Sequence, residues 1–217
     1  MEGGPATPGG PDAMLGRRDR GKAEHQRRIK AAAAELFRAY GFNAVTTQQI
    51  AERADVGAGT VFNYASTKGE LLVMVYNDVF AESIDLEPAL LEQGSVLDRL
   101  IELYRRLTEA CAREPENLRA YMRETLFAND EGRHLAEAYA LVQRLRELTS
   151  GVLSRARDRG EIAADVDLVL ASRNLYALFY MTLTQAMLSL DEEDPALERL
   201  RAAFSLQLRG LRPQTPV

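Results

Sequence analysis

Residues 46–72, TTQQIAERADVGAGTVFNYASTKGELL, decide how this chain is read. Thr46 with Gln49 three positions later has the spacing of a capping box, which satisfies two orphan backbone donors at a helix start. The helix that follows turns Ile50, Ala51 and Ala54 to one side. Asp55 to Gly59 then reads as a tight turn with two glycines, and Thr60 to Tyr64 as a short helix. Thr67 with Glu70 is a second capping box, opening another helix through Leu71 and Leu72. Two short helices across a glycine turn describe a helix-turn-helix. Small residues at the crossing, Ala51 and Ala54, allow close approach. The second helix must present side chains that reach base edges in a major groove. Thr60, Asn63 and Tyr64 each carry a group able to bond phosphate or base.

Outward from this stretch the pattern stays helical, and no run of period-two alternation suggests a strand. Ile29, Ala33, Leu36, Phe37 and Tyr40 share one face of a first helix from about Lys22 to Tyr40, which Gly41 is placed to stop. The fourth helix runs to about Ile84, followed by a loop marked by Pro88 and Gly94. A fifth spans Ser95 to Arg113 and is ended by Pro115. A sixth covers Asn117 to Phe127 before a turn at Asn129 to Gly132. The seventh runs from Arg133 to Arg159 and stops at Gly160. The eighth is capped by Asp165 or Asp167, reaches about Leu190, and is apolar nearly all round, so it should be buried on several sides. After the acidic linker Asp191 to Asp194, Pro195 suits the first turn of a ninth helix ending near Leu211. The expected fold is all-α with about nine helices: a disordered tail (1–20), a three-helix DNA-binding domain (21–72), a helical-bundle regulatory domain (73–211) and a loose end (212–217).

Composition narrows the function classes. The chain carries 27 Lys+Arg, 32 Asp+Glu, a net charge of −5 and one cysteine. A single cysteine excludes an intrachain disulfide and fits a reducing, cytoplasmic setting. No apolar run is long enough for a membrane span. The charge is divided: Arg17 to Leu72 holds ten basic and six acidic residues, whereas 73–217 holds 17 basic and 24 acidic. A basic segment ahead of an acidic body suggests that one end meets a polyanion. Arg17, Arg18, Arg20 and Lys22 read either as a flexible arm along DNA or as a solvated basic run.

The run Ile29…Ala33…Leu36-Phe37…Gly41-Phe42…Thr46-Thr47…Ile50-Ala51…Ala54-Asp55-Val56-Gly57-Ala58-Gly59-Thr60-Val61-Phe62-Asn63-Tyr64…Lys68…Glu70-Leu71-Leu72 resembles the DNA-binding domain of the tetracycline-repressor (TetR) family. The resemblance implies duplex DNA with a palindromic operator as partner, and contacts from Thr46, Thr47, Gln48, Ala58, Thr60, Asn63, Tyr64 and Lys68. Thr47, Gln48 and Lys68 would meet phosphate, helped by helix N-termini. Two positions depart from the family: Phe62 stands where Tyr is common, and Ala65 where Phe is common. The resemblance further implies a homodimer whose recognition helices lie about 34 Å apart. It also implies a body that binds a small-molecule effector and releases DNA by a population shift passed through the fourth helix.

Soft and polar groups on otherwise apolar helices are candidates for lining an effector pocket: Tyr104, Met122, Thr125, Phe127, Tyr139, Asn174, Tyr176, Tyr180, Met181 and Thr184. The same residues could equally fill a plain core. Such a pocket would take a largely apolar molecule. An enzyme is not expected, nor a cofactor or metal. Glu131 and His134 have the Glu-x-x-His spacing of di-iron bundles, but His25 has Lys22 three places before it, so the required second pair is missing. Cys111, on an apolar face, reads as core. The competing reading is a ligand-sensing or scaffold protein whose helix-turn-helix no longer reads DNA.

Overall fold

The computed structural model describes residues 17–85, 92–127, 132–188 and 195–212. Nine helices and no strand occur among them: α1 (Arg17–Ala44), α2 (Thr47–Arg53), α3 (Ala58–Phe62), α4 (Lys68–Ile84), α5 (Val96–Arg113), α6 (Pro115–Leu126), α7 (Arg133–Asp158), α8 (Leu168–Met187) and α9 (Ala196–Arg209). The expected loop at Pro88, the turn at Asn129 to Glu131 and the linker Asp191 to Asp194 lie outside the described residues. No described helix is long and apolar enough to cross a membrane.

Local chemistry explains most helix starts. Thr46 is the N-cap of α2, with the full capping box to Gln49. Thr67 accepts from the Glu70 backbone, but the Glu70 carboxylate turns to the Ser66 backbone and hydroxyl instead of completing the box. Ser95 and Asp98 form a further capping box on α5. Pro115 opens α6 at its first turn, where a missing N–H does no harm, as well as following the end of α5. Of the two aspartates considered for α8, Asp167 is the cap, accepting from Val169 and Leu170. Gly160 ends α7 at φ 71°.

Three of the boundaries that differ from the sequence reading lie in the first three helices. α1 begins at Arg17, so Arg17 to Lys22 belong to a helix and not to a loose arm. Gly41, at φ 77°, kinks α1 as expected of a stop, but one further turn reaches Ala44. α3 starts two residues early, at Ala58, with Gly57 as its N-cap. The left-handed residue of the turn is Asp55, at φ 51°, and neither glycine.

α1, α2 and α3 close over Ile29, Ala33, Phe37, Ile50, Ala51 and Val61, all buried. α4 lies beneath them, and every residue from Leu71 to Asn77 is buried. The same helix packs on α5, α6 and α7, so the helix-turn-helix and the body share it. α8 packs on α7 and α9, and α9 packs on α5. α8 is less enclosed than its composition suggested: Val169, Leu170, Met181 and Leu188 remain exposed on its outward side, as does Leu206 on α9.

Candidate functional site

The helix-turn-helix presents an open face. Val61 anchors α3 in the core, which turns Phe62 and Asn63 outward, the Phe62 ring being 52% exposed. Thr46 and Gln48 are exposed; Thr47, Ala58, Thr60 and Tyr64 are half-buried. A Cβ placed on Gly59 would meet nothing within 4 Å, so this part of α3 is bare toward solvent. Gln48 donates to Glu52 at 2.9 Å. Three tethers hold the pair of short helices to α1, one of them the Arg53 guanidinium on the Glu35 carboxylate at 2.7 Å. The Arg28 guanidinium donates to the Asp55 carbonyl at 2.6 Å and to its carboxylate at 2.7 Å. The Tyr64 hydroxyl donates to the Lys22 carbonyl at 2.8 Å.

Lys68, expected to meet phosphate, has partners within the chain. Its ammonium turns inward, donating to the carbonyls of Phe42 and Val45 at 2.8 Å each and lying 4.4 Å above the Phe42 ring. Those carbonyls are left over where α1 ends, and a cation satisfies them. The tethered Tyr64 hydroxyl likewise has a protein partner in place of a phosphate. Thus Thr46, Gln48 and Asn63 are the polar members of the expected contact set that stand fully exposed.

A cavity of about 90 Å³ lies in the body. Its walls are Phe80 and Ile84 of α4, Leu107 and Cys111 of α5, Leu118, Tyr121 and Met122 of α6, Ala138, Leu141, Val142 and Leu145 of α7, and Tyr176, Phe179, Tyr180 and Leu183 of α8. Tyr180 is part of this wall, and its hydroxyl is buried without a hydrogen-bond partner. Burial pushes the Cys111 thiol up to about 12. It also raises the Tyr176 phenol to about 12, helped by Tyr180 and opposed by the Arg146 charge. The cavity therefore has neutral walls at ordinary pH.

Of the ten pocket residues expected from sequence, Met122, Tyr176 and Tyr180 line this cavity. The other seven are held elsewhere. Tyr104 is fully buried and its hydroxyl pairs with Thr149 at 3.0 Å. Thr125 and Thr184 bond the backbone carbonyls of Tyr121 and Tyr180 one turn earlier. Phe127 and Tyr139 are exposed, the latter donating to the Thr125 carbonyl. Asn174 and Met181, seven residues apart on α8, occupy its outward face while Leu175, Phe179 and Leu183 take the inward one. The sequence reading missed Tyr121, although Leu118, Tyr121 and Met122 have the i, i+3, i+4 spacing of one helical face.

Glu131 lies outside the described residues, and His134 takes part in hydrogen bonds instead: its ring nitrogens stand 3.0 Å from the Glu137 carboxylate and 3.0 Å from the Tyr64 carbonyl. Among the described residues no cluster of three or more potential metal ligands occurs.

A three-helix head with an exposed recognition helix, joined through a shared helix to a body with an apolar cavity, defines a helix-turn-helix regulator with a sensing domain. Residues 29–75 match the family model for bacterial regulatory proteins of the tetR family, and residues 90–200 match the tetracyclin repressor-like C-terminal domain. The chain is 32% identical over 144 residues to the HTH-type transcriptional repressor KstR of Mycolicibacterium smegmatis, spanning 65% of this chain and 67% of that one. FadR of Thermus thermophilus, a TetR-family repressor solved in complex with lauroyl-CoA, is 30% identical, with a TM-score of 0.69 over 88% of this chain and 98% of its own. FadR of Bacillus subtilis, solved with stearoyl-CoA, shares the fold at 19% identity, with a TM-score of 0.63 over 86% of this chain and 99% of its own. This protein belongs to the TetR family of DNA-binding transcriptional regulators.

Proposed function

We propose that this protein is a homodimeric repressor that leaves its operator when a fatty acyl thioester of coenzyme A enters the body. Residues 21–72 would read DNA and 73–211 would sense the effector and dimerise. Because its target is the chromosome, it would work in the cytoplasm. The cavity carries this reading. Its lining is almost wholly apolar, the surface that a fatty acyl chain requires. The Thermus relative's complex with lauroyl-CoA supports the same ligand class.

The size of the cavity suggests how binding acts on DNA. At about 90 Å³ it is smaller than the ~150 Å³ cavity that holds a benzene. An acyl chain can enter only if the surrounding helices part. α4 forms one wall and also supports the helix-turn-helix. The ligand would therefore favour a conformer in which the two heads are wrongly placed for DNA, and operator affinity would fall by linkage. The outward apolar side of α8, with Leu206 of α9, would be covered in a two-fold four-helix interface.

The test is selection of bound DNA from a random pool, followed by titration with lauroyl-CoA. The reading expects a palindrome with half-sites one or more helical turns apart, binding that weakens steeply with salt, and release by lauroyl-CoA. An unenriched pool would refute operator binding. Enrichment without any lauroyl-CoA effect on operator affinity or thermal midpoint would refute the effector class.

A further inference from the structure

We propose that His134 is a positioning residue that reports the state of the effector cavity to the recognition helix. The inference rests on the operator-binding reading above. His134 is the second residue of α7 and is 3% exposed. Its Nε2 lies 3.0 Å from the carbonyl oxygen of Tyr64, two residues beyond the end of α3. A carbonyl only accepts, so Nε2 carries the proton of that bond. The far end of the head is thus pinned to the body by one buried side chain.

Two routes lead from this pin to the cavity. One is α7 itself, whose Ala138, Leu141 and Leu145 are cavity wall one to three turns beyond His134. The other is a run of hydrogen bonds. Tyr121, also cavity wall, donates its hydroxyl to Asn77 Oδ1 at 3.1 Å. Asn77, buried on α4, donates Nδ2 to the His134 carbonyl at 2.8 Å. Parting α6 from α7 to admit a ligand pulls on Tyr121 and α7 together, and both converge on His134. Buried hydrogen bonds are either made or lost, which suits a two-state element.

The test is a double-mutant cycle on operator affinity, measured without effector on full-length protein and the selected operator. His134→Asn shortens the side chain so that it no longer reaches Tyr64. His134→Gln places an amide nitrogen near the position of Nε2. Tyr121→Phe removes only the hydroxyl at the cavity end. The proposal expects at least a 10-fold loss for His134→Asn, affinity within about 3-fold of wild type for His134→Gln, and a double variant (His134→Asn with Tyr121→Phe) at least 3-fold tighter than multiplied single losses require. It also expects the lauroyl-CoA response to shrink to under 2-fold in His134→Asn. Thermal midpoints of every variant separate loss of folding from loss of coupling. Independent, multiplying losses would overturn the relay, as would wild-type operator affinity with a full effector response in His134→Asn. If lauroyl-CoA does not act on wild type, the effector reading fails while the cycle still decides the relay.

Discussion

The Lys68 ammonium lies 2.8 Å from the Phe42 carbonyl oxygen and 4.4 Å above the ring of the same residue. Backbone acceptors hold this cation, the Val45 carbonyl also at 2.8 Å and the Asn43 carbonyl at 3.4 Å. Lys68→Met should therefore lower stability by about 1–2 kcal/mol, from lost charged hydrogen bonds at a half-buried site. It should leave the salt dependence of operator binding unchanged. A log–log salt slope flatter by about 0.9 would show instead that Lys68 is a phosphate ligand in the complex.

The recognition face makes a separate, opposed pair of expectations. Gly59 is exposed inside α3 with nothing near its missing Cβ. Gly59→Ala should raise the urea midpoint, by up to about 1 kcal/mol of stability, because alanine is the better helix former. Operator affinity should fall, since the new methyl projects into the groove. Asn63→Ala should leave stability nearly unchanged and reduce affinity by about 1–3 kcal/mol, with relaxed preference at one operator position. Unaltered binding by both variants would place the DNA on a different surface.

Arg99 is fully buried, and its guanidinium meets Glu161 at 2.6 Å. The other carboxylate oxygen of Glu161 accepts from the Val96 backbone, tying the start of α5 to the turn after α7. Glu161→Ala leaves a charge buried without its partner. A loss of about 3 kcal/mol is expected, readable as a fall in denaturation midpoint. Glu161→Gln, which keeps an acceptor for Val96, should lose less. A change under 0.5 kcal/mol in Glu161→Ala would mean that the pair does not hold this corner together.

Alkaline pH should destabilise the body. Burial raises the Cys111 thiol from its ordinary 9.0 to about 12 and the Tyr176 phenol from 10.0 to about 12. In both cases the folded chain keeps a proton that the unfolded chain releases. Stability is then fully present below the unfolded pKa and falls as pH rises toward the folded value. Urea midpoints should decline from about pH 9 upward, and the decline should begin nearer pH 10 in Cys111→Ala. Iodoacetamide at pH 8 should label Cys111 in denaturant and spare it in the native protein. A flat profile to pH 11, or ready labelling of native protein, would contradict the burial of Cys111.

Short-range signals made much of this architecture legible. Thr46, Thr67 and Asp167 cap their helices because the bond each makes reaches only two or three residues ahead. Gly160 stops α7 for a similarly local reason. What escaped depends on partners far along the chain. Asp55 is left-handed as the residue after the α2 C-cap, with its N–H on the Glu52 carbonyl and that of Val56 on the Ala51 carbonyl, and Arg28, 27 residues earlier, adds a long-range hold on it. Lys68 turns inward because the end of α1 offers carbonyls 23 to 26 residues away. On α8 both faces are apolar, so periodicity could not tell inward Phe179 from outward Met181. Met122, Tyr176 and Tyr180 line the cavity, and only packing distinguishes them from Tyr104, whose hydroxyl is already satisfied by Thr149.

The tethers to α1 at Asp55 and at Tyr64 have a mechanical meaning. They stand before and after the recognition helix, one on each flank, and both fasten to the same long rod. The elbow between the short helices cannot flex on its own without releasing a clasp. On the proposed function the head would swing as one stiff piece, and the sequence it prefers would stay the same at every stage of regulation. In the proposed dimer an effector would change the angle and span between two such heads, so induction would alter how tightly the operator is gripped and leave its spelling untouched.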